Sequence, residues 1–228
     1  MIQEILGKLF PTEQGLGLDT IHVPMSRHSA PFSITDPKAC LSCLKMPSRA
    51  YRATCNREIL KVDNNATEII VVNLEQYLTQ IEQLKHTSSG EKCDLIMTDS
   101  GMGKAKIGFR DLCCYEEKYV EPNPGNAYPQ GKRAKARQQM EHSIERLLQG
   151  GTTAVNILAY YEKICLFAWR DYDVPDSPVM AKRGDACFNV QVFGSVVSNM
   201  TPATTSHHQK AGHNFTFMQI KYPSVYVW

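Results

Sequence analysis

Apolar residues recur at strand or helix spacing over much of the chain after residue 65. The β-branched run from Glu68 to Leu74 predicts a buried strand, and the apolar positions of residues 75–85 lie on one face of a following helix. Two further strands are predicted at residues 93–97 and 106–115, and the glycines between them favour a hairpin. The pattern therefore predicts a strand, a helix and a hairpin in that order.

A second and longer helix is predicted over residues 132–149, and Gly150 and Gly151 are expected to end it. Apolar strands are predicted at residues 164–169 and 189–197, and the tail over residues 214–228 alternates like a terminal pair of strands. The polar stretch 204–213 contains His207, His208 and His213. We expect a loop with solvated histidines there, and metal binding by these histidines is the alternative.

The N-terminal region is harder to interpret. Its first apolar residues fall at helical spacing and predict a short amphipathic helix that ends at Pro11. From there to about residue 65, prolines interrupt the chain and no period is sustained. Cys40 and Cys43 have the spacing of half a zinc site, but no second pair of ligands follows at a suitable distance.

Composition and charge narrow the class of protein. With 228 residues and an apolar fraction of 43%, the chain can form one α/β domain over residues 1–228, with a mixed central sheet flanked by helices. The expected parts are an N-terminal region (1–65), a core (66–170) and C-terminal strands that complete the sheet (171–228). A net charge of +2 means that any nucleic-acid site must be a local patch.

The sequence also predicts where the protein resides. No apolar run approaches the roughly 18 residues that a membrane helix needs, so no membrane partner is expected. The N-terminus lacks the cleavage site of a signal peptide. We therefore expect a cytoplasmic location, where the eight cysteines are reduced.

Asp94 and Asp111 are the candidate chemical groups. A hairpin can bring them side by side on one face, where Asp111 interrupts a row of apolar residues. Two facing carboxylates repel each other unless a cation joins them, and Mg²⁺ prefers oxygen ligands. Alternatively, they are separate acids, one near a turn and one on an edge strand that pairs with Arg110 or a nearby lysine.

This arrangement resembles the PD-(D/E)xK nucleases, in which an acid, a hairpin, a second acid and a basic helix follow one another. The resemblance covers residues 92–148 and implies a restriction-endonuclease-like core. It further implies that Asp94, Asp111 and the backbone carbonyl of Leu112 hold Mg²⁺ or Mn²⁺. Gln139, or its neighbour Gln138, matches the glutamine that some members carry on the following helix.

The chain departs from the family at the motif lysine, because Cys113 occupies that position. A neutral thiol cannot orient the attacking water or offset the negative charge that develops in phosphodiester cleavage. Some diverged relatives recruit a lysine from elsewhere; Lys118 is the predicted replacement, and Lys92 is a weaker candidate. The resemblance also implies a glutamate on the first helix, for which Glu58, Glu75 and Glu82 remain open.

Basic and aromatic residues suggest further contacts with nucleic acid. The first turns of the helix at 132–149 contain Lys132, Arg133, Lys135 and Arg137. The helix dipole already makes this end positive, so the cluster favours a phosphate, although a solvated helix face is the alternative. The aromatic side chains of Tyr222, Tyr226 and Trp228 can stack on bases or close a core.

Two functions follow as expectations. The first is a divalent-metal-dependent nuclease for DNA or RNA, in which Asp94 and Asp111 hold the metal, Lys118 replaces the lysine and Gln139 assists. The second is a catalytically inactive nuclease-fold binding module in a defence, mobile-element or toxin-type assembly, which the absent lysine favours. The N-terminal helix can dock a protein partner, and a homodimer is compatible with either function.

Overall fold

The structure, a computed structural model, describes residues 1–17, 21–35, 57–88, 90–101, 103–114, 120, 122, 124, 130–171, 207–210 and 213–228. Helix α1 spans residues 2–13 and is α-helical at Ile2–Glu4 and Phe10–Glu13 but π-helical at Ile5–Leu9. The other helices are α2 (Leu74–Lys85), α3 (Gly131–Leu147) and α4 (Gly151–Leu158). Among the described residues, none of the helices has the length and apolar character needed to cross a membrane.

The strands form two sheets. They are β1 (Met25–His28), β2 (Phe32–Thr35), β3 (Glu58–Asp63), β4 (Ile69–Asn73), β5 (Leu95–Asp99), β6 (Lys106–Cys114), β7 (Glu162–Arg170), β8 (His207–Lys210), β9 (His213–Lys221) and β10 (Val225–Val227). The larger sheet has the order β1-β4-β5-β6-β7-β9-β8, and the smaller has the order β10-β3-β2. Strands β4, β5 and β6 are antiparallel neighbours, whereas β6, β7 and β9 are parallel. The predicted α/β class with a mixed, helix-flanked sheet is confirmed.

The larger sheet is the middle of three layers. One side packs on α1, α2 and α3 through a core that includes Ile96 and Phe109, and we call it the helix-facing side. The other side packs on the smaller sheet through a core that includes Met97 and Leu112, and we call it the small-sheet side. Because side chains alternate along a strand, each position is assigned to one side or the other.

Helix α2 begins and ends at recognisable caps. The side-chain oxygen of Asn73 accepts a hydrogen bond of 2.9 Å from the backbone N–H of Gln76. The helix ends at His86, which adopts the left-handed conformation with φ of 53°. Between these caps, Tyr77 and Ile81 are buried against the sheet. Burial of each such side chain stabilises the fold by roughly 1.5–3 kcal/mol.

The end of α1 is tied to the start of α4. The Glu13 carboxylate accepts hydrogen bonds from the backbone N–H groups of Thr152 (2.5 Å) and Thr153 (3.1 Å). A Cβ atom at Gly150 would overlap the Glu13 carboxylate, so a larger residue there would require the Glu13 side chain to move. Desolvation raises the pKa of Glu13, but the hydrogen bonds from Thr153 and Thr152 lower it overall.

Several elements match the sequence pattern. The strands predicted at residues 68–74, 93–97, 106–115 and 164–169, and the helices predicted at 75–85 and 132–149, are confirmed with small shifts at their ends. The strand predicted at residues 189–197 lies outside the described residues, as do Cys40 and Cys43.

Other predictions need correction. Helix α3 ends just before Gly150 and Gly151 as expected, but Gly150 is also the N-cap of α4, a helix that the apolar pattern did not predict. Helix α1 continues beyond Pro11, since proline is tolerated in the first turn of its last α-helical segment. The N-terminal region contributes β1, β2 and β3 despite its irregular pattern.

The C-terminal part also differs from expectation. The predicted histidine loop is wrong, because His207 and His208 belong to β8 and His213 begins β9, where backbone pairing outweighs the polar composition. The tail forms two strands, but they do not pair with each other. Strand β9 joins the larger sheet, whereas β10 pairs in parallel with β3 in the smaller sheet.

Candidate functional site

The β5–β6 hairpin brings Asp94 and Asp111 to opposite positions. Leu95 pairs with Arg110, so the next antiparallel step places Asp94 beside Asp111. Both lie on the helix-facing side, and their exposed fractions are only 7% and 5%. The backbone N–H of Leu112 donates a hydrogen bond of 2.7 Å to Oδ2 of Asp94. The two carboxylates therefore share one nearly buried location.

The backbone of Asp94 is fixed by the first turn of α2. The N–H groups of Leu74 and Glu75 donate to the carbonyl oxygen of Asp94 at 2.9 and 3.3 Å. These N–H groups have no partner within their own helix, because the first turn of a helix leaves its donors unused. Asp94 thus lies at the positive end of α2, which favours negative charge.

Helix α3 holds the segment just before Asp94. The backbone N–H of Cys93 donates to Oγ of Ser143 at 2.9 Å, and the side-chain amide of Gln139 donates to the carbonyl oxygen of Lys92 at 3.2 Å. The structure therefore brings Gln139 to the segment that carries Asp94, in a positioning contact. Ser143 was missed from the sequence, although its spacing of four residues from Gln139 places both on one helix face.

The electrostatics of the site keep Cys93 neutral. Complete burial raises the pKa of the Cys93 thiol well above its ordinary value, and the negative charges of Asp111 and Asp94 raise it further. Because the thiolate is the metal-binding and nucleophilic form, Cys93 is a poor ligand or nucleophile.

The donor set fits magnesium or manganese better than zinc. The described residues contain no group of three or more His, Cys, Asp or Glu side chains placed to hold a metal ion. The N–H and C=O of one strand residue point toward the same neighbouring strand, so the carbonyl of Leu112 lies on the Asp94 side of β6. Two carboxylates and one carbonyl suit Mg²⁺, which usually keeps several waters. Structural zinc, in contrast, takes four nitrogen or sulfur ligands.

The structure also constrains the source of a catalytic cation. Cys113, which the resemblance to the nucleases aligns with a lysine, is half-buried on the helix-facing side. The Nζ atom of Lys92 lies 2.7 Å from the Glu82 carboxylate, so Lys92 belongs to a separate ion pair. Lys118 lies outside the described residues.

Arg110 does not pair with the two acids. It lies on the small-sheet side and is fully buried, with its guanidinium 4.9 Å from the ring centroid of Tyr226 and 5.7 Å from that of Trp228. Strand β6 is also central in the sheet and not at an edge. The alternative of an edge-strand acid paired with Arg110 is therefore wrong.

The three candidate glutamates lie in different surroundings. Glu82 contacts Lys92 and also Arg146, whose Nη1 atom lies 2.6 Å away. Glu58 is in the smaller sheet, where its carboxylate accepts a hydrogen bond of 3.3 Å from the hydroxyl of Tyr222. The backbone of Glu75 contacts that of Asp94, which places Glu75 beside the acid pair.

The basic turn of α3 lies next to the same segment. Lys135 forms an ion pair of 2.9 Å with Glu91, three residues before Asp94. Arg137 forms an ion pair of 2.8 Å with Glu141. Lys132 and Arg133, also in the first turn, are half-buried. Lys135 and Arg137 therefore already have acidic partners within the chain.

The C-terminal aromatic residues serve the core between the sheets. The guanidinium of Arg110 and the ammonium of Lys106 both lie over the rings of Tyr226 and Trp228. The guanidinium of Arg170 lies 4.2 Å from the ring centroid of Tyr222. Tyr222 and Tyr226 are buried, so they close the core, which is the alternative to stacking on bases.

A polar cleft of about 350 Å³ lies between α2 and α3. It is lined by charged and polar side chains that include Lys85, Glu91, Lys92, His142 and Arg146. The two aspartates do not line this cleft, although Lys92 and Ser143 connect it to the segment before Asp94.

No protein-family model, curated protein or solved structure matches the chain.

Proposed function

We propose that the chain is a divalent-metal-dependent nuclease-like protein that acts on DNA or RNA phosphodiesters. One observation carries the proposal: Asp94 and Asp111 occupy facing positions on the helix-facing side of a hairpin, and both are nearly buried. Burying two carboxylates together is costly unless a cation offsets their repulsion. A bound Mg²⁺ or Mn²⁺ is the cation that this donor set favours.

The topology around the acids supports a restriction-endonuclease-like core. Antiparallel β4, β5 and β6 are followed by α3, α4 and then β7, which is parallel to β6. The acids lie at the carboxyl end of β6, where open α/β sheets usually bind ligands. The basic first turns of α3 begin beside this edge, where a nucleic-acid backbone can contact them.

The proposed reaction is hydrolysis. A water oxygen bonds to phosphorus as the bond from phosphorus to one sugar oxygen breaks; the water loses a proton and the departing sugar oxygen gains one. A bound divalent ion supplies the charge that lowers the pKa of the water and neutralises the phosphate. Asp94 and Asp111 hold that ion, and the contacts of Asp94 with α2 and of Lys92 with Gln139 keep the hairpin in position.

The second candidate function is a nuclease-fold binding module without catalytic activity. Two observations favour it: Cys113 replaces the motif lysine, and Lys92 is paired with Glu82. In this alternative, Oδ2 of Asp94 serves mainly to accept the backbone N–H of Leu112. Such a module binds nucleic acid but does not cleave it with Mg²⁺, Mn²⁺ or Ca²⁺.

The test is a plasmid-nicking assay with the parent protein, Asp111→Asn and Asp99→Asn. Asp99 is a matched control because it is an equally buried acid of the same hairpin on the opposite side of the sheet. We expect Asp111→Asn to abolish metal-dependent nicking and Asp99→Asn to retain it, with both variants folded by circular dichroism. Equal nicking by parent and Asp111→Asn contradicts the mechanism, and binding without nicking by the parent favours the second function.

A further inference from the structure

Lys221 lies on the same side of the larger sheet as the acid pair. The backbone register joins Cys113 on β6 to Trp169 on β7, and Trp169 to Lys221 on β9. Register partners project to the same side of a sheet, and Trp169 belongs to the helix-facing core. The three residues therefore form one row across the carboxyl ends of three parallel strands.

The side chain of Lys221 contacts the tryptophan that separates it from Cys113 in this row. Its Nζ atom lies 4.7 Å from the centroid of the Trp169 ring. Neighbouring strands are about 4.8 Å apart, so the backbones of Lys221 and Cys113 are separated by roughly 10 Å. Asp111 is two residues before Cys113 and projects to the same side.

Among the described residues, three other cations near the hairpin lie elsewhere. Lys92 is held by Glu82 at 2.7 Å, and Arg110 projects to the small-sheet side. Lys106 lies over the rings of Tyr226 and Trp228, which are also on that side. Lys221, in contrast, lies on the helix-facing side of the sheet, in the row that contains Cys113.

Resting on the proposed function, we propose that Lys221 binds a phosphate oxygen of the nucleic acid beside Asp111. Ligands of open α/β sheets bind at the carboxyl ends of strands, where this row lies. A cation that is fixed before the substrate arrives stabilises the negative charge of the phosphate without further reorganisation. The face of Trp169 fixes the ammonium through a cation–π contact. The charge is therefore supplied by a strand that is distant in sequence.

The experiment compares Lys221→Met and Lys221→Arg with Lys61→Met and Lys118→Met. Lys61 is a matched control, because its ammonium also lies over an aromatic ring, 5.3 Å from the centroid of Tyr222, but in the smaller sheet. Fluorescence anisotropy in Ca²⁺ measures the binding of short fluorescein-labelled single-stranded DNA and RNA to each full-length variant. Mn²⁺ calorimetry and nicking are measured on the same samples, and circular dichroism verifies folding.

We expect Lys221→Met to bind the labelled strand about tenfold or more weakly, as the loss of a charged contact predicts, while Lys221→Arg and Lys61→Met bind like the parent. Mn²⁺ binding should be unchanged in Lys221→Met, because the metal ligands are intact. Parent-like strand binding and nicking by Lys221→Met would overturn the inference. Loss in Lys118→Met alone, or no strand binding by the parent, would also overturn it.

The same measurements separate this inference from the proposed function. If Lys221→Met loses strand affinity while Asp111→Asn and the parent take up Mn²⁺ equally, the Lys221 site stands and the metal site fails. If Asp111→Asn loses Mn²⁺ and nicking while Lys221→Met retains both nicking and strand affinity, the metal site stands and the Lys221 site fails.

Discussion

Glu82 connects three parts of the structure that position Asp94. Its carboxylate contacts Lys92 at 2.7 Å, in the segment before Asp94, and Arg146 at 2.6 Å, on α3. The side chains of Glu82, Lys92 and Arg146 are only 8%, 13% and 14% exposed. Removing one member of a buried ion pair costs about 3–5 kcal/mol, because the remaining charge stays desolvated. We expect the lower end for Glu82→Ala, since its partners retain some exposure.

A loss of about 3 kcal/mol corresponds to a melting temperature lower by roughly 6–12 °C for a domain of this size. Urea unfolding followed by circular dichroism measures this free energy directly. The control is Glu68→Ala, which removes an exposed ion pair of 3.2 Å with Arg27 and should change the stability much less than Glu82→Ala does. If Glu82→Ala is as stable as Glu68→Ala, the buried cluster does not hold the hairpin and this reasoning is refuted.

Two further predictions concern the packing at Gly108 and the pH dependence of the contribution of Glu13 to stability. Gly108→Ala would place a Cβ atom 2.5 Å from Cζ of the buried Arg110, so we expect a destabilisation of about 1–3 kcal/mol in urea unfolding. The control Gly103→Ala places its Cβ atom in open space and should leave the stability nearly unchanged. Equal stability of the two variants would contradict this account. The pKa of Glu13 is lowered below its ordinary value of 4.5, so its stabilising effect is present above that pH and is lost as the pH falls through the folded pKa. The stability difference between the parent and Glu13→Gln should therefore shrink between pH 7 and pH 3, and a difference that grows as the pH falls contradicts this assignment.

The pattern of apolar residues predicted those strands and helices in which the apolar positions are also the buried positions. The run at Ile69–Asn73 is apolar on both sides because both sides of β4 are covered, and the apolar face of α2 matches its buried face. Strand β1 has no such signal, since its residues are exposed or half-buried and its place is set by pairing with β4. Helix α4 was missed because only Thr153 and Ile157 of its eight residues are buried.

The candidate site was predictable where it depends on one hairpin. The hairpin pattern predicted that Asp94 and Asp111 can lie side by side on one face, and the observed register places them opposite each other. The partners of the cations were not predictable, because Lys92 meets Glu82 through α2 and Arg110 meets Tyr226 through a strand at the end of the chain. Such contacts depend on the packing of layers and leave no local periodicity.

The most direct measurement is calorimetric titration of Mn²⁺ into the parent, Asp94→Asn, Asp111→Asn and the control Asp99→Asn. Both acids supply oxygen ligands to one ion, so either substitution at the pair should remove binding. The account predicts saturable binding by the parent and by Asp99→Asn, and none by the other two variants. Equal heats in all four proteins, or no binding by the parent, would contradict a shared metal site at Asp94 and Asp111.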